Sequence, residues 1–157
     1  VDNWPRLVQL AWIMCDDKGN IIEERSDIIK PEGFSIPVEA SSVHGITTIK
    51  AQEEGLDLLS SLELFSDKID VAYALIGHNI SFDECIVGAE FERKRMMTSL
   101  FLKPKYCPRI IVNCRVENRD SNLRSYPSYT RFCSGRDSRM LMMLWQMCGQ
   151  LFVVSGN

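Results

Sequence analysis

One stretch of the chain, GHNISFDECIVGAEF at positions 77–91, carries the residue types best suited to chemistry at the end of a strand. Asn79 and Asp83 stand four residues apart, on the turn that leads into a predicted helix. A paired amide and carboxylate at such a turn are candidate residues of a functional site. A structural interpretation is also open, because Asn79 could cap the helix and Asp83 could interact with its dipole.

The elements around this turn predict where its side chains lie. The nearly all-apolar run VAYALIGHN, 71–79, predicts a short strand that is buried on both faces and ends at Ile76. The following helix is predicted to begin at Ser81, acting as the N-cap, and to finish in a basic last turn. Because α/β proteins place their sites at the carboxyl edge of the sheet, the turn lies where a functional site is expected.

The preceding sequence predicts the rest of an α/β layered plan. Two runs joined by the turn DDKGN predict an antiparallel hairpin with strands at about 6–15 and 20–29. A loop-rich stretch follows, with short helical turns expected near 38–43 and 47–53. An amphipathic helix is expected over 56–70, where Leu58, Leu62 and Phe65 recur at helical spacing.

Composition limits the functional class. The 157 residues are 45% hydrophobic and 25% charged, which is ordinary for one soluble domain. No apolar run reaches the roughly 20 residues of a membrane helix, and the start shows no signal-peptide pattern, so a cytoplasmic location is expected. A net charge of −3 argues against a protein that coats polyanions, while leaving room for a metal-assisted enzyme that acts on phosphate.

Taken together, these segments resemble the DnaQ-like DEDD 3′–5′ exonucleases, which include the proofreading epsilon subunit of bacterial DNA polymerase III and RNase T. The family's second motif, HN-x-x-[FY]-D, matches His78, Asn79, Phe82 and Asp83. The resemblance also covers PRLVQLAW (5–12), IKPEGFSIP (29–37) and VHGIT (43–47), in the family's order. It spans about residues 4–107.

The resemblance implies a fold, a substrate and a mechanism. The fold would be a ribonuclease H-like mixed sheet flanked by helices. The substrate would be the single-stranded 3′ end of DNA or RNA, with a DNA polymerase subunit as a further partner. Two Mg²⁺ or Mn²⁺ ions, held by four carboxylates, would activate water and stabilise the leaving oxygen.

The same resemblance assigns roles to particular residues. Asp83 would be the third of the four carboxylates, and so both a metal ligand and a catalytic residue. His44, Gly45 and Ile46, from the HGIT motif, would bind the terminal nucleotide. Asn79 and Phe82 would also line the substrate site. Phe82 would mainly pack in the core, with one edge toward the nucleotide. His78 is given only a structural role.

Two motifs of the family do not occur in this sequence. The first, DxE, lies on the opening strand of the family's sheet, so the sheet is expected to lack that central strand. The third pairs a histidine general base with the fourth aspartate, yet the sequence has only His44 and His78. The family's C-terminal helices are expected to be missing as well, and the chain is expected to be inactive.

The segment RMLMMLWQM, 139–147, suggests why the third motif is missing. Met and Trp have one codon each, so the DNA beneath Met140–Met147 is nearly determined. Joining the last base of each codon to the first two of the next permits the translation AHDAVAD, which has the form of the third motif. We therefore predict a partial exonuclease domain over 1–107 and a frame-shifted tail over 108–157.

Two other functions stay open on the sequence. One is a non-catalytic module of the same fold that binds a 3′ end or a polymerase. That function requires the tail to fold and to supply the missing strand. The other is an unrelated structural α/β domain, in which Asp83 and His44 have only structural roles.

Overall fold

The computed structural model describes residues 4–16, 20–106 and 141–144. The strands in chain order are β1 (Gln9–Cys15), β2 (Ile21–Ile28), β3 (Ala74–Ile76), β4 (Lys105–Tyr106) and β5 (Leu141–Leu144). The helices are α1 (Val38–His44), α2 (Thr48–Glu54), α3 (Leu58–Val71) and α4 (Ile80–Arg93), and a 3₁₀ turn spans Leu100–Leu102.

The predicted hairpin is confirmed. Strands β1 and β2 pair antiparallel from Gln9 opposite Ile28 to Cys15 opposite Ile21, with an irregularity at the Cys15 end. Asp16 closes the turn, because its Oδ1 accepts the Asn20 N–H at 2.8 Å and its own N–H donates to the Asn20 carbonyl at 3.0 Å. The short helices near 38–43 and 47–53 are also confirmed, as α1 and α2.

The five strands form one mixed sheet in the order β2-β1-β5-β3-β4. Strand β5 is antiparallel to β1 and parallel to β3, and β4 is parallel to β3. The central position, which the missing first strand was expected to leave open, is thus filled by Leu141–Leu144. A strand from the predicted tail therefore supplies the hydrogen-bond partners that the buried backbone groups on either side need.

The main core lies between the sheet and the two long helices. Leu58, Leu62 and Phe65 of α3 are at most 1% exposed, as their spacing predicts. Phe65 packs against Trp12 of β1 with ring centroids 6.5 Å apart. Burial of each such side chain contributes roughly 1.5–3 kcal/mol to the free energy of unfolding.

The start of α4 differs from the prediction. The helix begins at Ile80, with Asn79 rather than Ser81 at the N-cap, so the predicted cap is wrong. Asn79 has φ 57° and ψ 40°, a left-handed conformation that asparagine tolerates better than most residues and that a helix cannot include. Its side chain makes no capping hydrogen bond to the helix.

Candidate functional site

The topology brings both motif segments to one edge of the sheet. Because β1 is antiparallel to β5 and β5 is parallel to β3, β1 begins at the edge where β3 ends. The turn to α4 leaves β3 at that edge. The loop between α1 and α2 is held there too, because Ile46 belongs to a small core cluster against which Val8 and Ile28 pack.

Asp83 lies on the buried side of α4. Its neighbours at helical spacing, Ile80 and Ile86, are 4% and 1% exposed, and Asp83 itself is 8% exposed. Burial raises the pKa of the Asp83 carboxyl to about 6, and a hydrogen bond from its own backbone N–H only partly opposes this. Asp83 therefore binds a proton much more readily than an ordinary aspartate, which is typical of functional sites.

A buried ion cluster fixes α4 against the segment that enters β1. Glu90, two turns beyond Asp83, is 0% exposed, and its Oε1 accepts the Leu7 N–H at 3.0 Å. Arg6 Nε donates to the same oxygen at 2.9 Å, and Arg93 Nη1 lies 3.0 Å from it. Arg93 Nη2 also donates to the Trp4 carbonyl at 2.8 Å. This cluster sets the position of the helix that carries Asp83.

A second contact holds the opposite end of the helix. The Glu84 carboxylate, one residue after Asp83, pairs with Lys105 Nζ of β4 at 2.7 Å. Asp83 is therefore fixed at the sheet edge from both ends of α4. The roles of Glu90 and Lys105 were not predicted from the sequence. The one local signal was an acid placed seven residues after Asp83, on the same buried stripe.

The raised pKa of Asp83 predicts a pH dependence of stability. Since the folded pKa of about 6 exceeds the ordinary 3.8, the folded chain holds a proton that the unfolded chain releases between these values. The free energy of unfolding should therefore fall as pH rises through this range, by on the order of 2 kcal/mol. Asp83→Asn should remove this fall, making the variant the more stable protein at pH 7 but not at pH 4.

Urea unfolding from pH 4 to pH 8 in metal-free buffer checks this prediction. Glu92→Gln is the matched control, because Glu92 is exposed on the same helix. The control should follow the unmodified chain at every pH. A lower free energy of unfolding for Asp83→Asn than for the unmodified chain at pH 7 would contradict the prediction that burial of Asp83 disfavours its ionised form.

His44 and Gly45 end α1 in a defined turn. Gly45 caps the helix in the left-handed conformation, φ 73°, and its N–H donates to the Ser41 carbonyl at 2.8 Å. The Nδ1 atom of His44 accepts the Ile46 N–H at 3.1 Å, and partial burial lowers the pKa of the imidazole. The ring is therefore neutral at pH 7 and carries its proton on Nε2, which leaves that N–H available as a donor.

The other predicted residues differ in exposure. Ile46 is 4% exposed and packs within the small cluster formed with Ile36, Ala40 and Ala51. Phe82 is partly buried against the main core, in agreement with its predicted packing role. His78 and Asn79 are exposed. Among the predicted site residues, Gly45 and Asn79 are thus exposed, and His44 and Phe82 are half-buried.

The described residues do not fit a two-metal centre. No three side chains of histidine, cysteine, aspartate or glutamate come together within 4–16, 20–106 and 141–144. The register places Met142 beside Leu75 and Met143 beside Ile76, so the strand next to β3 brings no oxygen ligand to these positions. Asp83 is the single matched carboxylate in this part of the chain.

Comparisons with known proteins find likeness in structure alone. No profile of a known protein family matches the chain. No curated protein matches it in sequence. Solved structures of Escherichia coli exonuclease I in complex with single-stranded oligonucleotides do match, with a TM-score of 0.67 and 21% identity for the dT13 complex and 0.64 and 20% for the dA16 complex.

These matches show the fold. They cover 82% and 85% of this chain but only 31% and 34% of exonuclease I, so the chain spans about a third of that protein. The predicted ribonuclease H-like fold, a mixed sheet flanked by helices, is confirmed. The family's C-terminal helices were predicted to be missing from this chain. That prediction concerns residues outside those that the structure describes. Within the described part of the chain, no helix has the length and apolar character needed to span a membrane.

Proposed function

We propose that this chain is a 3′–5′ exonuclease domain of the DnaQ-like DEDD type that binds the single-stranded 3′ end of DNA but hydrolyses it negligibly. The placement of the His44 turn and the Asp83 turn at one sheet edge carries the proposal. The likeness to exonuclease I, solved with oligonucleotides bound, supports it. DNA rather than RNA is chosen on that likeness.

Binding follows from the groups that this edge presents. The Nε2–H of His44 is a donor for a phosphate oxygen or a 3′ hydroxyl group, held in direction by the bond at Nδ1. Gly45 has no side chain and is exposed, so a nucleotide can approach its backbone closely. The accessible part of Phe82 offers an aromatic edge to a base.

Hydrolysis requires more than this edge provides. In an intact family site, Mg²⁺ or Mn²⁺ ions would polarise the phosphate and activate water. Asp83 is the residue here that would bind such an ion, but one carboxylate without further acidic partners is a weak ligand set. The sequence also has no histidine in the position of the family's general base.

The test of binding is the affinity for a labelled single-stranded oligonucleotide, measured by fluorescence anisotropy without divalent metal. His44→Ala should weaken binding by about 10-fold or more, the usual cost of one hydrogen bond to a charged group. His78→Ala is the matched control, and it should change the affinity less than about 2-fold, as expected for an exposed residue with no predicted role in binding. Equal losses in both variants, or no binding by the unmodified chain, would contradict the proposal.

The second candidate is a non-catalytic module of the same fold that binds a 3′ end or a polymerase subunit. The presence of β5 in the centre of the sheet favours it, because this function requires the C-terminal segment to complete the fold. The nucleotide sequence of the gene separates the two. A histidine and an aspartate encoded in the shifted frame beneath Met140–Met147 would support the damaged exonuclease, and stop codons or unrelated residues there would support the module.

A further inference from the structure

We propose that the position between β1 and β3 is a strand-acceptor site, and that the backbone of Leu141–Leu144 is its ligand in cis. The C-terminal segment is then a structural part of the domain, whatever the domain binds. The inference does not depend on the proposed function. It rests on the directions in which the backbone groups of β1 and β3 point.

On β3, half of the backbone groups face away from β4. The N–H groups of Leu75 and Gly77 donate to Pro104 and Tyr106 on the β4 side, at 2.9 and 3.1 Å. Because successive residues of a strand point their backbone groups to opposite sides, Ala74 and Ile76 face the other neighbour. That neighbour is β5, with Leu141 opposite Ala74 and Met143 opposite Ile76.

On β1, the same alternation decides which residues point their backbone groups toward β5. The Ile29 N–H donates to the Val8 carbonyl at 2.8 Å, so even-numbered residues of β1 face β2. Ile13 and Cys15 consequently face β5, where they lie opposite Met143 and Leu141. Both strands therefore present a row of donors and acceptors to one shared gap.

The gap lies inside the protein. Trp12, Met14 and Cys15 of β1 are 1–2% exposed, and the three residues of β3 are at most 4% exposed. Water therefore cannot easily replace a strand partner, and unpaired N–H and C=O groups would be costly there. The matching ligand is an extended segment of four residues, antiparallel to β1 and parallel to β3. Because recognition is through the backbone, the site favours an extended main chain more than a particular side chain.

Completion by this segment has a chemical consequence. The sequence from Leu141 to Asn157 contains no aspartate or glutamate. The segment therefore satisfies the backbone of the sheet without adding a carboxylate beside β3. In this chain, the strand that completes the sheet contributes to folding but supplies no carboxylate for a metal site.

The test is residue-resolved hydrogen exchange by NMR on the full chain and on Met142→Pro and Met143→Pro. Proline removes a backbone N–H and is poorly tolerated in a central strand. The Ile13 and Ile76 amides should be protected in the unmodified chain and should exchange about 10-fold faster or more in the proline variants. The Leu75 and Gly77 amides, which bond to β4, are the internal control and should keep their protection.

Two further variants and a dilution series complete the design. Met142→Ala and Met143→Ala keep the N–H and should retain the protection of Ile13 and Ile76. Global unfolding of the proline variants, with both alanine variants still folded, would also support the proposal, because the two kinds of variant differ in whether they keep the backbone N–H. The proposal is overturned if the Ile13 and Ile76 amides exchange freely in the unmodified chain, or if proline leaves them protected. Protection that disappears on dilution would overturn the arrangement in cis, since it would mean a strand exchanged between two copies.

Discussion

With a 5′-labelled single-stranded oligonucleotide and Mg²⁺ or Mn²⁺, the chain is expected to leave the 3′ end intact. Enzymes accelerate such reactions by about 10⁶-fold or more, and a two-metal mechanism requires the full set of carboxylates to hold its ions. Among the described residues only Asp83 matches that set. We therefore expect product at the level of the protein-free control, measured by denaturing gel electrophoresis over hours.

The control for this prediction is Asp83→Asn, purified in the same way. Its product trace should coincide with that of the unmodified chain. Shortening of the oligonucleotide from its 3′ end by the unmodified chain, abolished in Asp83→Asn, would show that a working metal site assembles. Shortening that persists in Asp83→Asn would indicate a contaminating nuclease.

Replacing Glu90 by alanine should destabilise the fold more than any surface change. Glu90 is fully buried, and one of its oxygens contacts Arg6, the Leu7 N–H and Arg93. Removing one partner of a buried ion cluster leaves the remaining charges uncompensated and costs about 3–5 kcal/mol. A chain of this size should then unfold roughly 10 °C earlier. Thermal unfolding followed by circular dichroism measures the change.

Glu92→Ala is the matched control for Glu90→Ala. Glu92 is exposed and lies on the same helix, so the change keeps helix propensity comparable and removes the same carboxylate. Its effect should stay within about 0.5 kcal/mol. If the two variants unfolded at the same temperature, the cluster would not fix α4 against the entry to β1, and Asp83 would need another source of positioning.

Local patterns predicted most of the fold. The β1–β2 hairpin was predicted from two apolar runs and a turn, and α3 from the spacing of its buried leucines. The end of β3 at Ile76 and the Asp83 turn after it also followed from the order of apolar and polar residues. In each case, the feature depends on residues close together in the chain, which is why periodicity could predict it.

Contacts between distant residues could not be predicted this way. The Arg6–Glu90 pair joins residues 84 positions apart, and no periodic pattern indicates which acid an arginine will meet. The wrong cap at Ser81 arose because the pattern does not reveal the left-handed backbone of Asn79. Strand β5 was missed because its residues were interpreted as part of a frame-shifted tail.

The division of the chain at about residue 107 stays a prediction. Four residues of the predicted tail, Leu141–Leu144, belong to the same sheet as the N-terminal strands. The rest of the interval 107–157 lies outside the described residues, including the other residues of the stretch whose codons suggested the frame shift, Met140 and 145–147. Metal binding by Asp83 and contact of His44, Gly45, Ile46, Asn79 and Phe82 with a nucleotide also stay predictions.

The central claim is that single-stranded DNA binds at the sheet edge formed by the His44 and Asp83 turns. The most direct measurement is an NMR titration of the chain with a dT oligonucleotide in metal-free buffer. We expect shifts at the amides of Gly45, Ile46 and Asn79–Phe82, and none at Met96–Phe101, the segment that follows the other end of α4, whose 14 residues span about 20 Å. Absence of binding, or shifts centred on Met96–Phe101 instead, would contradict the claim.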